Sequence, residues 1–236
     1  MAQRRVAVLI SGGGSNLQAL IDATAQPGYP ARIVLVVSNR PNAYGLERAR
    51  RAGIAALAID HRAFGSREAF EAEVEAALHA FGAELVCLAG FLRLLTRGFV
   101  EAWRDRMLNI HPSLLPAFRG LHTHTRALAA GVRVHGCTVH LVRFELDEGP
   151  VLAQGVVPVL DGDTEESLAA RVLEVEHRCY PQALALFASG RARVEGERLL
   201  VTDEAAGERL VLHPLLRERP AERAAEAAGD SGRNVS

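Results

Sequence analysis

Apolar, β-branched runs alternate with helical patterns along most of this chain, and that alternation restricts its fold more than any other feature. Strand-like runs are predicted at 5–10, 33–37, 54–59, 85–89, 107–110, 136–141 and 151–157. Helical patterns cover 17–21, 46–52, 67–80, a stretch ending at 130, and 165–189. Parallel strands need crossover helices, and right-handed crossovers cover both faces of a sheet. We therefore predict an α/β fold with a mostly parallel twisted sheet and helices on both faces.

A glycine-rich loop, Ser11-Gly12-Gly13-Gly14-Ser15-Asn16, follows the first predicted strand and precedes a helix. This order lets main-chain N–H groups approach an anion at a helix N-terminus. The loop lacks the spacing of the dinucleotide fingerprint and the lysine of a P-loop. A tight turn that needs positive φ is the simpler alternative. Three glycines followed by Ser-Asn exceed what a turn requires, so we predict that this loop binds a phosphate.

The segment Asn109-Ile110-His111-Pro112-Ser113-Leu114-Leu115-Pro116 follows another predicted strand. Asn109 and His111 are two residues apart, so in a strand their side chains project to the same side. Pro112 restricts His111 to extended geometry. An amide beside a titratable imidazole can stabilise the charge that grows on a carbonyl oxygen during acyl transfer. Ligands of open parallel sheets bind outside the carboxyl ends of the strands, where this segment, the glycine-rich loop and 90–95 all fall.

Composition excludes several kinds of chemistry. All 27 basic residues are arginine, which rules out a Schiff-base lysine, a pyridoxal phosphate anchor and a lysine-bearing phosphate loop. Hydrophobic residues make up 49% of the chain and the formal net charge is −1, as in a soluble globular protein with no electrostatic attraction to nucleic acid or membrane. Cys87, Cys137 and Cys179 share no metal-ligand spacing. Without a signal peptide or a long apolar span, we expect a cytoplasmic protein with reduced thiols.

One domain is expected over 1–216, followed by a disordered tail over 217–236 in which Arg, Glu and Ala lack apolar periodicity. A hairpin of 198–201 with 210–213 is predicted at the end of the domain. Asp163 and Thr164 are predicted to cap the long helix, with Glu166 closing a capping box on Asp163. The acidic turn 145–150 contains Asp147, which matters chemically only if it faces His111, and spacing alone cannot show that.

With these motifs, the chain resembles the glycinamide ribonucleotide transformylase family of folate-dependent enzymes. The resemblance runs from about Arg5 to Arg193 and is carried by Ile10–Leu17, Leu88–Arg93, Asn109–Pro116 and Glu145–Pro150. It implies the formyltransferase (Rossmann-like) fold. It also implies transfer of the formyl group of 10-formyltetrahydrofolate to the amine of glycinamide ribonucleotide (GAR), giving formylglycinamide ribonucleotide and tetrahydrofolate in purine (IMP) biosynthesis. The co-substrate is the folate, and no metal is implied.

The resemblance assigns the site residues. The catalytic set is Asn109, His111 and Asp147, in which Asn109 and the His111 imidazolium stabilise the oxyanion and Asp147 accepts the amine proton. GAR is expected on Gly12, Gly13, Gly14, Ser15, Asn16 and Glu176. The folate is expected on Arg67, Phe91, Leu92, Arg93, Leu94, Leu95, Asn109, Arg143, Phe144, Glu145 and Asp147. Relatives often carry Lys or Gln where Leu173 stands, so part of the phosphate contact would be missing or supplied by another arginine. His140 is expected to order a loop or to form a hydrogen bond inside the site.

Three alternatives stay open. A formyltetrahydrofolate hydrolase normally carries a regulatory domain ahead of this core, and a methionyl-tRNA formyltransferase normally carries a C-terminal RNA-binding domain; neither is predicted here. A non-catalytic nucleotide-binding or sensing protein is disfavoured by the intact Asn109, His111 and Asp147. The expected partners are the small-molecule substrates, with no nucleic acid or membrane, and the chain is expected to be a monomer or a homodimer.

Overall fold

The computed structural model describes residues 2–201, which form a seven-stranded sheet and a small second sheet. The strands of the large sheet are β1 Arg4–Ile10, β2 Ala31–Ser38, β3 Ala55–Ala58, β4 Leu85–Leu88, β5 Met107–His111, β6 Val134–Leu141 and β7 Val151–Pro158. Their order is β3-β2-β1-β4-β5-β6-β7. The pairs among β1 to β5 are parallel, whereas β6 pairs antiparallel with both β5 and β7. The predicted mostly parallel sheet is confirmed.

Helices cover both faces of the large sheet. They are α1 Ser15–Thr24, α2 Tyr44–Arg51, α3 Arg67–Ala80, α4 Arg97–Ala102, α5 Thr123–Ala129 and α6 Glu165–Ala188, with a 3₁₀ turn at His61–Ala63. Alternate residues of β1 point to opposite faces, so Val8 packs in a core with α1, α2, α5 and α6 while Leu9 packs in a second core with α3 and α4. The short helix α4 was not predicted. No helix within residues 2–201 is long and apolar enough to cross a bilayer.

The cap of α6 confirms the prediction of Thr164 but not that of the capping box. Thr164 is the N-cap, and it exchanges hydrogen bonds with Ser167, whose main-chain N–H lies 3.3 Å from the Thr164 hydroxyl. Asp163 instead pairs with Arg171 at 2.8 Å. The predicted box between Asp163 and Glu166 was therefore wrong, because a guanidinium two turns into the helix binds the Asp163 carboxylate.

A hairpin follows α6. Strands β8 Ala192–Glu195 and β9 Arg198–Val201 pair with each other in an antiparallel two-stranded sheet. The predicted strand at 198–201 is thus present, and β8 was not predicted. The segment 210–213, the domain boundary at 216 and the tail 217–236 lie outside the described residues. Glu197 in the hairpin turn pairs with Arg143 at 2.9 Å, which holds the hairpin against the large sheet.

Helix α6 also fixes the carboxyl ends of two central strands. The buried hydroxyl of Tyr180 lies 3.0 Å from the carbonyl oxygen of Leu88 at the end of β4. The same hydroxyl lies 3.1 Å from the carbonyl oxygen of Leu108 in β5. Asn109 follows directly, so Tyr180 anchors the main chain that carries one of the predicted catalytic residues.

Tyr180→Phe should lower the free energy of unfolding by about 1–3 kcal/mol, because two buried carbonyl groups lose the donor that they share. Urea denaturation measures the change. Tyr29→Phe is the matched control, since the Tyr29 hydroxyl also donates to a main-chain carbonyl of α6, at Pro181, but from a half-buried position. We expect a smaller loss there. A Tyr180→Phe variant as stable as the wild type would contradict the anchoring role.

Candidate active site

Three of the predicted segments meet at the carboxyl edge of the large sheet. The Ser11 main-chain N–H donates to the carbonyl oxygen of Gly90 at 3.1 Å, which links the glycine-rich loop to the segment after β4. The Ser11 hydroxyl accepts a hydrogen bond from the Leu92 N–H at 2.8 Å. Asn109 in β5 is aligned with Leu88 in β4. The structure therefore brings the glycine-rich loop, the 90–95 segment and Asn109 into one region.

The glycines of the loop serve different purposes. Gly14 has φ 72°, and a Cβ there would lie 2.9 Å from the Gly45 Cα, so glycine is required by the backbone and by the close approach of α2. A Cβ on Gly12 or Gly13 would meet nothing within 4 Å. Within residues 2–201, no hydrogen bond engages the main-chain N–H groups of 12–16. These donors are open to an anion.

A cavity of about 410 Å³ lies over the loop. It is lined by Ser11, Gly12, Gly13, Gly14, Ser15, Asn16, Arg40, Tyr44, Arg48, Ala89, Gly90 and Leu92. The three residues from the β2–α2 region, Arg40, Tyr44 and Arg48, were not predicted as site residues. Their sequence signal was the loop that follows β2, since that strand also ends at the carboxyl edge of the sheet.

Glu176 reaches this region from α6. Its carboxylate accepts a hydrogen bond from the Asn16 amide at 2.6 Å, which joins the start of α1 to the long helix. Burial raises the pKa of Glu176, and the Asn16 hydrogen bond opposes that rise. Leu173, three residues earlier in α6, is half-buried and contributes no charge. Asn16 and Glu176, two of the residues on which GAR is expected, thus lie side by side.

His111 and Asp147 face each other inside the site. The His111 Nδ1 lies 3.5 Å from the Asp147 Oδ2, and both side chains are less than a tenth exposed. The His111 Nε2 lies 3.0 Å from the Phe118 carbonyl oxygen, which can only accept, so Nε2 carries a proton and Nδ1 faces the carboxylate. Asp147 also accepts from the Gly120 N–H at 2.9 Å. This contact between the acidic turn and the β5 end could not be read from spacing.

Asn109 is held by His140. The Asn109 Nδ2 lies 3.2 Å from the His140 Nε2, and the His140 Nδ1 lies 3.0 Å from the Leu141 carbonyl oxygen. Because that carbonyl accepts from Nδ1, the neutral ring accepts the Asn109 amide at Nε2. Burial lowers the pKa of His140, which favours the neutral ring, whereas the Leu141 hydrogen bond and the Asp147 charge oppose the shift. His140 therefore forms a hydrogen bond inside the site, as one of its two predicted roles requires.

The predicted folate segment forms an exposed apolar surface beside α3. Leu92 and Leu94 are 64% and 65% exposed. A cavity of about 250 Å³ is lined by Arg67, Leu92, Arg93 and Leu94, so the structure brings Arg67 to this segment. Phe91 and Leu95 are half-buried in the same segment and pack on the second core.

Glu71 anchors the far end of the same segment and was not predicted. It is buried on α3, one turn after Arg67, and its carboxylate accepts the Thr96 N–H at 2.9 Å. The Thr96 hydroxyl also donates to it. The available signal in the sequence was a carboxylate on the apolar side of the helical pattern, next to Phe70 and one turn before Val74. A carboxylate in such a position is rarely buried without a partner.

The predicted residues after β6 divide into two groups. The buried Arg143 guanidinium pairs with Asp105 at 2.7 Å and with Glu197 at 2.9 Å, so only its main chain remains available to a ligand. Phe144 and Glu145 are exposed, and Arg97 contacts both of them, lying 4.0 Å from the Phe144 ring centroid and 3.6 Å from the Glu145 carboxylate. Phe144 and Glu145 therefore form part of the exposed rim of the candidate site.

Two further histidines lie near His111. The rings of His124 and His135 meet edge to face with centroids 5.3 Å apart. Burial lowers the pKa of both imidazoles, that of His135 to about 4, so both are neutral at pH 7. Within residues 2–201, no group of three or more His, Cys, Asp or Glu side chains is arranged to hold a metal ion.

Comparison with known proteins gives consistent matches. The family described as "Formyl transferase" matches residues 4–184. The chain is 46% identical over 210 residues to the phosphoribosylglycinamide formyltransferase of Escherichia coli (strain K12), covering 86% of this chain and 99% of that protein. It is 54% identical over 190 residues to the trifunctional purine biosynthetic protein adenosine-3 of Gallus gallus, covering 80% of this chain. The chain spans only 19% of that longer protein.

Solved structures agree with these matches. The crystal structure of glycinamide ribonucleotide transformylase 1 from Symbiobacterium toebii superposes with a TM-score of 0.83 at 52% identity. The match covers 85% of this chain and 95% of that chain. The predicted formyltransferase fold is thereby confirmed.

Proposed function

The chain belongs to the formyl transferase family, and we propose that it transfers the formyl group of 10-formyltetrahydrofolate to the amine of glycinamide ribonucleotide. The products are formylglycinamide ribonucleotide and tetrahydrofolate, a step of de novo purine (IMP) biosynthesis. One observation supports this reaction above all: His111 and Asp147 face each other beside Asn109, at the sheet edge that also holds the glycine-rich cavity.

GAR would occupy the larger cavity. Its phosphate would accept hydrogen bonds from the open main-chain N–H groups of 12–16, and Glu176 would bind a ribose hydroxyl. Gly14 would act through the shape that it gives the loop. The folate would lie along the 91–95 segment with its anionic tail at Arg67. The main chain of Arg143 and the rim residues Phe144 and Glu145 would complete its site.

The chemistry follows from the buried polar groups. The amine attacks the formyl carbon, and the formyl oxygen becomes anionic in a tetrahedral intermediate. The Asn109 amide keeps one N–H besides the one directed at His140, and that N–H can donate to the oxyanion. His111 stabilises the same charge as an imidazolium beside Asp147. Asp147 accepts the proton that the amine loses, directly or through a water molecule. The bond from the formyl carbon to the folate nitrogen then breaks, and a proton reaches that nitrogen.

An assay of the purified chain tests this proposal. Loss of the formyl group from the folate changes absorbance, and the rate is measured with and without GAR. We expect a rate that depends on GAR. An equal rate without GAR would favour a formyltetrahydrofolate hydrolase, and no rate under either condition would favour a non-catalytic nucleotide-binding protein. The expected partners are the two small molecules, and a cytoplasmic location and a monomeric or homodimeric state remain expectations.

Gly13→Val tests the glycine-rich loop. The new side chain would project into open space, so we expect an unchanged melting temperature. It would crowd the phosphate, so we expect the KM for GAR to rise roughly tenfold or more, with the folate KM near normal.

Gly162→Val is the matched control, because Gly162 also faces open space without positive φ and does not line the cavity. An equal rise of both KM values in Gly13→Val would show that the loop does not bind the phosphate.

A further inference from the structure

The charged residues that line the larger cavity are all positive. The residues that line it include two arginines, Arg40 and Arg48, and no Asp or Glu. The open main-chain N–H groups of 12–16 lie on the same cavity. Two arginines and a set of free N–H donors are suited to a phosphate, which carries between one and two negative charges at neutral pH.

We infer that Arg40 and Arg48 bind the substrate phosphate in this chain and thereby determine its preference for a nucleotide over a nucleoside. The inference rests on the proposed function and extends it to two residues that the resemblance does not assign. It places the cationic part of the phosphate site on the β2–α2 region. The uncharged Leu173 on α6 is then not required to supply a charge to the phosphate.

Arg48 is already fixed against the loop. Its Nε donates to the Gly13 carbonyl oxygen at 2.9 Å, and its Nη1 donates to the Gln18 side chain at 3.1 Å. Its guanidinium lies 5.0 Å from the Tyr44 ring centroid. The second terminal nitrogen remains for a ligand, and the group needs little reordering when one binds.

Arg48 also lies close to α6. Burial lowers the pKa of His177, and the positive charge of Arg48 lowers it further. Leu173 is four residues before His177, so both side chains lie on one face of the helix. Arg48 therefore places a positive charge near the part of α6 that carries the uncharged Leu173.

Arg40 completes the arrangement from the loop after β2. Its main-chain N–H is held by the Ser38 hydroxyl at 3.1 Å. Within residues 2–201, no hydrogen bond or ion pair engages its guanidinium. The group is thus a free cation on a fixed main chain at the cavity rim, and its replacement removes no contact that supports the fold.

The experiment compares two substrates, GAR and the corresponding riboside without the phosphate. Arg40→Gln and Arg48→Gln should each raise the KM for GAR roughly ten- to a hundredfold, since a hydrogen bond to a charged group is lost. The KM for the riboside and the KM for the folate should stay nearly unchanged. Arg51→Gln is the matched control, because Arg51 also stands on α2 but pairs with Glu47 at 2.9 Å and does not line the cavity.

A second variant separates binding from folding. Leu173→Lys added to Arg48→Gln restores a cation on α6, so we expect it to recover much of the lost affinity for GAR. Melting temperatures of all variants exclude a general loss of structure.

The outcomes are distinct. Unchanged KM values for GAR in both arginine variants, or equal increases for GAR and the riboside, would overturn the inference. A wild-type chain that does not formylate GAR would overturn the proposed function instead. In that case, the melting temperature is measured with and without inorganic phosphate. Phosphate that stabilises the wild type but not the Arg40→Gln, Arg48→Gln double variant would still support the anion site. Equal stabilisation of the two proteins would refute it.

Discussion

Asp147→Asn should lower kcat by about 10²–10⁴-fold with little change in either KM, because it removes both the charge beside His111 and the base for the amine proton. Asparagine keeps the shape of the side chain, so the acceptor for the Gly120 N–H, which lies 2.9 Å away, is retained. The His111 Nδ1, 3.5 Å from the carboxylate in the native chain, would face a neutral amide instead. Initial rates at saturating GAR and folate measure the effect.

His111→Ala should reduce kcat by a similar factor. Because both groups serve one developing charge, the double variant should lose far less than the product of the two single losses. Fully multiplying losses would show that the two residues act independently. Asp161→Asn is the control, since Asp161 forms an exposed ion pair with Arg133 and lines neither of the two cavities described above. Near-normal turnover of Asp147→Asn would rule out the proposed mechanism.

The second large effect is expected at Asn109. Asn109→Ala should lower kcat by about 10²–10³-fold, the usual result of removing one oxyanion donor. It would also leave the His140 Nε2, 3.2 Å from the native amide, without its donor. Substrate binding should change less than turnover, because the donor is needed most when the oxygen becomes anionic.

Two further variants test this prediction. Asn109→Asp keeps the size but replaces the donor with an acceptor, so its kcat should be at least as low as that of Asn109→Ala. Asn42→Ala is the control, since Asn42 is exposed and does not line the cavity. A kcat loss confined to Asn109→Asp would indicate electrostatic damage by the new charge and not the absence of an oxyanion donor.

Features that depend on neighbouring residues were predictable. The sheet type followed from alternating strand and helix patterns, because periodicity reports which faces are buried. Serine is a residue type favoured at helix N-caps, and Ser66 caps α3 through its hydroxyl, which accepts from the Ala69 N–H at 3.1 Å. The common side of Asn109 and His111 followed from a period of two. These conclusions need only contacts within a few residues.

Features that depend on a distant partner were not predictable from patterns alone. The prediction of a capping box on Asp163 was wrong because Arg171 binds that carboxylate, at 2.8 Å in the folded chain. The resemblance assigned Asp147 and Glu176, yet only the structure shows the first beside His111 and the second hydrogen-bonded to Asn16.

The sequence by itself therefore determined the layers of the fold, the edge at which the site lies and two of its polar groups. The tertiary structure alone decided which side chains meet there. Arg40 and Arg48 illustrate the division: the position of their segment after β2 indicates only the edge of the sheet on which they lie, and they reach the glycine-rich loop because β2 pairs with β1 and α2 packs against Gly14. Pairing between strands and crossing between helices are set by the packing of the whole core, and no short window of sequence contains that information.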